Sequence, residues 1–289
     1  MASMQLALLC VAAYLLPGYL ALPLSWEAGD VSTLQWELAQ NYLRKFYLHN
    51  SKMKEASSLA RKLKEMQMFF GLPVTGKLSP HIVEIMQKPR CGVPDVAKYS
   101  LMPSSPKWHS KTVTYRITSY TSDLPQPVVD QIVEKALGMW SKQIPLDFRR
   151  VTQGTADIMI RFARGDHGDN FPFDGPGNTL GHAFAPGPGL GGDAHFDKDE
   201  YWTDDNTGVN FLLAATHEFG HSLGLAHSSV PTAVMYPTYE RHTTEGFQLT
   251  EDDIAGIQKL YGNNYGFQEK SVRLDRKLSE NRAFPGEPQ

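Results

Sequence analysis

Residues 217 to 227 constrain this chain more than any other stretch. They read His217-Glu218-Phe219-Gly220-His221-Ser222-Leu223-Gly224-Leu225-Ala226-His227, the spacing H-E-x-x-H-x-x-G-x-x-H. Two histidines four apart lie on one face of a helix, about one turn apart, so both imidazoles reach one metal ion. Glu218 stands beside the first of them, placed as a base rather than a ligand. Gly224 takes backbone conformations that other residues resist, so the helix can end there and the chain can turn. That turn brings His227 back as a third ligand. Three neutral nitrogens leave one corner of a tetrahedral zinc free, which a catalytic site needs and a structural site avoids. Phe211, Leu212, Ala214 and Ala215 lead into the motif with no Pro or Gly, so a helix through it is expected.

The chain has two cysteines, Cys10 and Cys91. Cys10 falls in the apolar run Leu6 to Leu16, which ends near the small residues Gly18 and Ala21. That pattern reads as a secretory signal peptide over residues 1–21, without the usual charged first region. The run is too short to cross a bilayer, and no later run approaches about 18 apolar residues, so a secreted protein with no membrane span is expected. Cleavage of the signal leaves Cys91 with no intramolecular partner, and a lone thiol in a secreted protein calls for another role. It sits in Pro89-Arg90-Cys91-Gly92-Val93-Pro94-Asp95, where Pro and Gly favour an extended or turning loop over a helix or central strand. A thiolate is a good zinc ligand. Cys91 is therefore expected to fill the fourth zinc corner and exclude the water that hydrolysis needs. Because both groups share one chain, their effective concentration is on the order of millimolar, and modest affinity suffices.

The zinc motif, the cysteine loop and Met235 downstream resemble those of the matrix metalloproteinases of the metzincin clan, over residues 20 to 262. The short length and the strings Tyr99-Ser100-Leu101, Asp174-Gly175-Pro176-Gly177-Asn178-Thr179 and Ala233-Val234-Met235-Tyr236-Pro237-Thr238-Tyr239 are most similar to the minimal member of that family. The resemblance implies a latent proenzyme. Residues 22–98 are then a helical prodomain whose cysteine loop, held by Arg90 and Asp95, blocks the site until cleavage between Lys98 and Tyr99. The new amino terminus would pair with Asp252 or Asp253. Residues 99–262 are the catalytic domain. The implied fold is the α+β metzincin zinc-protease fold, a twisted, mostly parallel five-stranded sheet with three helices, preceded by a small three-helix prodomain. The implied activity is that of a secreted, monomeric endopeptidase acting on extracellular matrix and other extracellular proteins, with tissue inhibitors of metalloproteinases as partners.

Local patterns fit that division. In the first part, Leu34, Leu38, Tyr42, Leu43 and Phe46 form one helical stripe. Leu59, Leu63, Met66, Phe69 and Phe70 form a second, ended by Gly71-Leu72-Pro73, and Ser79-Pro80 opens a third helix with Ile82, Ile85 and Met86 inward. Further on, strands are expected at Thr112–Ile117, Asp147–Val151, Ile158–Phe162, Gly181–Ala185 and Ala194–Asp197, with helices at Pro127–Gln143 and Thr250–Leu260. The tail, residues 263–289, is polar and shows no apolar stripe. It reads as a disordered extension, with no haemopexin-like domain. A net charge of -3 and a pI near 6.4 give no basic field for nucleic acid.

The loop from Phe162 to Glu200 is long enough to expect a function. His167, Asp169, His182 and His195 offer three nitrogens and one oxygen, which would close a structural zinc, and the family pattern matches all four. Its acidic residues suit calcium. The resemblance implies one calcium site from Asp174, Asp197 and Glu200 with the turn Gly175, Gly177 and Thr179. It implies a second from Asp157 and Asp193 with Gly189 and Gly191, and a third from Asp123 and Asp199. The expected cofactors are thus two Zn²⁺ and two or three Ca²⁺. In catalysis, zinc on His217, His221 and His227 acidifies a water and polarises the scissile carbonyl, and Glu218 is the general base. Ala183 on the edge strand pairs with an extended substrate. Met235 lies beneath the zinc ligands. Pro237 and Tyr239 belong to the outer wall of the pocket for the residue after the cut bond, and Leu213 sets its depth. The resemblance places an aromatic residue at the Leu213 position in the minimal member, so leucine implies a deeper pocket here.

Overall fold

The computed structural model describes residues 31–47, 55–95, 106–240 and 245–264, with side chains in the second stretch from residue 59. The expected signal peptide with Cys10, the Lys98–Tyr99 bond, His49, His242 and the tail beyond residue 264 lie outside the described residues.

Three helices come first. Helix α1 (Thr33–Phe46) starts at Ser32, whose hydroxyl accepts from the Gln35 N–H while the Gln35 side chain accepts from the Ser32 N–H. Its buried stripe is Ala39, Tyr42, Leu43 and Phe46. This stripe shares a small core with Leu63 and Met66 of α2 (Glu55–Phe69) and with Ile82, Val83 and Met86 of α3 (Pro80–Met86). Ser79 caps α3 and Pro80 opens it, as the sequence predicts. Leu34 departs from its expected place and is 77% exposed, because the first turn of α1 overhangs a core that begins at Ala39.

The main sheet has six strands rather than five. They are β1 (Arg90–Cys91), β2 (Thr112–Ile117), β3 (Asp147–Arg150), β4 (Ile158–Ala163), β5 (Thr179–Ala183) and β6 (Ala194–Asp197), in the order β1-β5-β6-β4-β2-β3. All neighbours are parallel except β5 with β6. The sixth strand is the cysteine segment itself, which joins the edge at β5 instead of remaining a free loop. A separate parallel pair joins β7 (Trp202–Thr203) to β8 (Val209–Asn210). Alternation explains the inner strands: Val113, Tyr115 and Ile117 of β2 and Ile158, Ile160 and Phe162 of β4 point inward at every second position.

Helix α4 (Gln126–Ser141) and helix α5 (Phe211–Ser222) pack together, and the Trp140 indole N–H donates to the Thr216 carbonyl at 2.9 Å. Every residue of α5 is buried. Asn210 caps its start by accepting from the Leu212 and Leu213 N–H groups. Its end is a Schellman motif: Leu225 N–H reaches Gly220 O at 3.0 Å and Gly224 N–H reaches His221 O at 2.8 Å. Gly224 sits at φ +100, and a Cβ there would fall 2.1 Å from the Pro106 carbonyl oxygen, so both the backbone angle and the space require glycine. Helix α6 (Glu251–Tyr261) is the last element among the described residues. Among the described residues, no helix is long and apolar enough to cross a membrane.

Candidate active site

The buried helix α5 carries His217 and His221 on one face, and the turn at Gly224 returns His227 beside them. The Nε2 atoms of His217 and His227 lie 3.3 Å apart, and those of His221 and His217 lie 3.2 Å apart. Each outer nitrogen already faces an acceptor. His217 Nδ1 is 2.7 Å from Val234 O, His221 Nδ1 is 2.8 Å from Leu225 O, and His227 Nδ1 is 2.9 Å from Asp95 Oδ1. These acceptors assign the proton to Nδ1, which leaves three Nε2 lone pairs facing one another. Lone pairs cannot hydrogen-bond to each other, and a cation between them satisfies all three. Burial, followed by mutual proximity, holds His217 down at about 3 and His221 well below the ordinary histidine value. Neutral imidazoles are the form that binds metal.

Cys91 completes this group, with its sulfur and the three imidazole nitrogens all within 4.8 Å of one another. Its backbone is clamped on two sides. On one side, Arg90 N–H donates to Asn178 O at 2.6 Å and Gly92 N–H to Gly181 O at 2.7 Å. On the other, Cys91 N–H donates to Pro237 O at 2.9 Å and Tyr239 N–H to Pro89 O at 2.7 Å. Arg90 and Asp95 hold the segment from below. The fully buried Arg90 guanidinium meets Asp95 at 2.5 and 3.2 Å, donates to the Tyr42 hydroxyl, and stacks 3.6 Å from the Phe46 ring centroid. Tyr42 and Phe46 looked like ordinary core in the sequence. Their i, i+4 spacing on α1 was the available signal, and the fold uses it as a cradle for Arg90.

Glu218 is 2% exposed, and its Oε2 has no hydrogen-bond partner. Burial pushes its carboxyl up to about 8, and the Cys91 thiol faces it. Burial and then the Glu218 charge raise that thiol well above its ordinary value. Met235 is buried with its sulfur packed against Gly220, where an added Cβ would meet it at 2.2 Å. Asp253 accepts from the Val234 and Met235 N–H groups at 2.9 and 3.0 Å and so pins the turn beneath the ligands. Asp252 instead takes the Ser228 hydroxyl at 2.6 Å.

A pocket of about 190 Å³ opens beside the cluster, lined by Leu213, His217, Val234, Pro237 and Tyr239 among others. The Tyr239 hydroxyl accepts from the Asn210 N–H at 2.7 Å, which ties this wall to the cap of α5. Ala183 is buried on β5 beyond the part of that strand covered by β1.

The second expected metal set also assembles. The antiparallel register of β5 and β6 places His182 opposite His195. Asp169 Oδ2 lies 2.8, 2.7 and 2.6 Å from nitrogens of His167, His182 and His195. Burial would raise Asp169, but the Phe171 N–H and the two imidazoles of His182 and His195 outweigh it and hold the carboxylate ionised. Burial lowers His182 to about 4 and His195 to about 3. Three neutral nitrogens and one carboxylate oxygen around one point suit a closed tetrahedral zinc.

The acidic sets are looser. Glu200 is raised to about 7 by burial, then by the charges of Asp197, Asp174 and Asp199, and Asp197 keeps a buried Oδ2 with no partner. Glu200 accepts from Gly177 N–H and Asp174 from Thr179 N–H. That crowding of carboxylates fits a calcium ion among Asp174, Asp197 and Glu200. At the second set, Asp193 is buried, but the Asp157 carboxylate is taken by the Thr114 N–H and hydroxyl at 2.7 and 2.6 Å. It is the Asp157 carbonyl that lies against Gly192, next to Gly191 and Asp193. Asp199 pairs with Arg164 at 2.5 Å and Asp123 accepts from Trp202 N–H at 3.1 Å, so both carboxylates of the third set have protein partners. His81 and His109 are exposed and belong to neither cluster.

Comparison with known proteins agrees with this geometry. The family described as Matrixin matches residues 107–262, and that described as a putative peptidoglycan binding domain matches residues 28–86. Matrilysin of Mus musculus is 78% identical over 260 residues, covering 90% of this chain and 98% of the relative. Matrilysin of Homo sapiens is 67% identical over 268 residues, covering 92% and 100%. Stromelysin-1 of Mus musculus is 54% identical over 233 residues, covering 78% and 49%.

Proposed function

Since this chain belongs to the matrixins, the matrix metalloproteinase family of zinc-dependent endopeptidases, we propose that it is secreted as a latent precursor, with residues 22–98 as pro-segment and residues 99–262 as protease. The observation that carries the latency is the position of Cys91. Its sulfur occupies the fourth corner of the histidine cluster while its backbone fills the cleft between β5 and Pro237–Tyr239. Two further contacts support a docked pro-segment. Phe70 packs edge-on against Tyr236 of the pocket wall at 5.7 Å, and Lys88 pairs with Glu240 at 2.8 Å.

His217, His221 and His227 would hold the catalytic zinc, which when bound supplies a Lewis acid and acidifies water. Glu218 is the base that would take a proton from the attacking water and return it to the leaving amine. Its apolar enclosure, which raises the carboxyl, suits a group that must both accept and return a proton near neutral pH. An extended substrate replaces the cysteine segment along β5, where main-chain groups of Thr179 to Ala183 fix its register. The side chain after the cut bond enters the pocket over Leu213. His167, Asp169, His182 and His195 hold a structural zinc, and the Asp174–Glu200 and Asp157–Asp193 sets hold calcium. After cleavage before Tyr99, Asp253 or Asp252 receives the new amino terminus. Extracellular matrix proteins are the substrates, and tissue inhibitors of metalloproteinases would bind the same cleft. Cleavage of a peptide library by protein trimmed at Tyr99, with and without chelator, tests the reading. Chelator-sensitive cuts before large apolar residues support it, and chelator-resistant cutting or none contradicts it.

A further inference from the structure

The three imidazoles differ in what holds their outer nitrogens. Those of His217 and His221 face main-chain carbonyls close to α5, whereas that of His227 faces the Asp95 carboxylate. Asp95 and His227 are 132 residues apart in sequence, and both side chains are fully enclosed. Asp95 also lies in the segment that latency requires to be removed. We propose that, in the latent chain, Asp95, His227 and the zinc form a carboxylate–histidine–metal triad that activation dismantles. The proposal rests on the reading of the chain as a latent zinc enzyme.

The physical argument starts from charge. A carboxylate on Nδ1–H fixes the tautomer that points the Nε2 lone pair at the metal, and it also makes that nitrogen a stronger donor. A neutral carbonyl does the first and much less of the second. Asp95 is kept ionised by Arg90 at 2.5 and 3.2 Å, and enclosure from water strengthens the contact. The pro-segment therefore grips the metal twice: through the Cys91 sulfur directly, and through Asp95 by way of His227. The zinc is held more firmly and made less electrophilic while the segment is docked. Removal opens a coordination position and weakens the third ligand together. Asp95 is a positioning residue in this scheme, shared by Arg90 on one side and His227 on the other.

The test uses the full chain carrying Glu218→Ala, which cannot cut itself, and Cys91→Ser, which removes the sulfur. It is loaded with zinc. Two readouts are taken: the Nδ1–H proton resonances of the three ligands, and the rate of zinc transfer to a chromogenic chelator. Asp95→Asn is expected to move the His227 resonance alone and to speed zinc release on the order of 10- to 100-fold. Arg90→Lys loosens the loop but keeps a cation beside the carboxylate, and is expected to speed release less. The proposal is overturned if Asp95→Asn changes neither readout, or if Arg90→Lys matches it. If Asp95→Asn fails to fold, the chain with Asp95 intact decides. Its His227 proton must lie downfield of the other two; any other position overturns the proposal. Failure of that chain to retain zinc overturns the zinc-enzyme reading and this one with it.

Discussion

The two histidine clusters differ in where their fourth member comes from. Around Asp169, the carboxylate and His167 come from the loop between β4 and β5, and His182 and His195 come from β5 and β6. Around His217, the fourth member is Cys91, a thiol from a distant segment that lies across the cleft as an added strand. The first arrangement has no detachable part and suits a metal that stabilises the fold. The second has a corner that can be vacated, with the buried carboxyl of Glu218, which faces the Cys91 thiol, beside it. On the proposed reading, three imidazoles serve structure in one place and catalysis in the other, and the difference lies in the fourth member, in chain connectivity and in the neighbouring carboxyl.

Each side of that comparison can be broken separately. The largest effect is expected from Glu218→Ala in the trimmed enzyme, which should lower kcat by about 10²- to 10⁴-fold with zinc content unchanged. Steady-state kinetics beside metal analysis check it, and near-normal turnover would remove Glu218 from the mechanism. Asp169→Ala should do the reverse. Its melting temperature is expected to fall by roughly 5–10 °C, while the kcat/KM of the folded fraction stays within about threefold of the parent. A large loss of turnover without loss of stability would mean that the second cluster is not structural.

Leu213→Tyr should shrink the pocket and leave both metal sites alone. The expected result is about a tenfold fall in kcat/KM for peptides with long apolar residues after the cut bond, and a smaller fall for leucine. The calcium reading makes a smaller, pH-dependent prediction. The Glu200 value is raised by burial from 4.5 to about 7, so the folded state binds its proton more firmly than the unfolded state does. Stability from this group therefore declines as pH rises through that window. Calcium binds the carboxylate form, so the calcium-induced rise in melting temperature should be larger at pH 7.5 than at pH 5.5, by roughly 2–4 °C. Equal rises at both would place calcium elsewhere. The smallest effect belongs to the exposed Lys88–Glu240 pair: Lys88→Ala should loosen the docked segment by about 1 kcal/mol or less, read as the rate of Cys91 alkylation.

Legibility in the sequence followed the distance between cooperating residues. The expected zinc ligands lie on one helix and one turn: the helical period pairs His217 with His221, and the turn at Gly224 returns His227. The strand at Thr112–Ile117 was legible because its apolar residues alternate, whereas the strand near Ala194–Asp197 is buried at all four positions and shows no alternation. The His182–His195 contact needs the antiparallel register of two strands, which spacing does not give, and was available only through resemblance. The contacts of Asp95 with His227, and of Arg90 with Tyr42 and Phe46, are tertiary, and no local pattern names the partner. The resemblance gives Asp157 as part of a calcium set, and a residue type alone does not say which of its oxygens faces the ion. In the fold its carboxylate accepts from the Thr114 N–H and hydroxyl, and its carbonyl lies against Gly192.

The central claim is that one of two zinc sites exchanges its sulfur on activation while the other stays fixed. X-ray absorption at the zinc edge, on the full chain and again after trimming at Tyr99, tests it most directly. The account predicts one sulfur at about 2.3 Å shared over two zinc ions before trimming and none afterwards, with the other shell still nitrogen and oxygen. A latent chain with no zinc–sulfur distance, or a trimmed enzyme that keeps one, would contradict it.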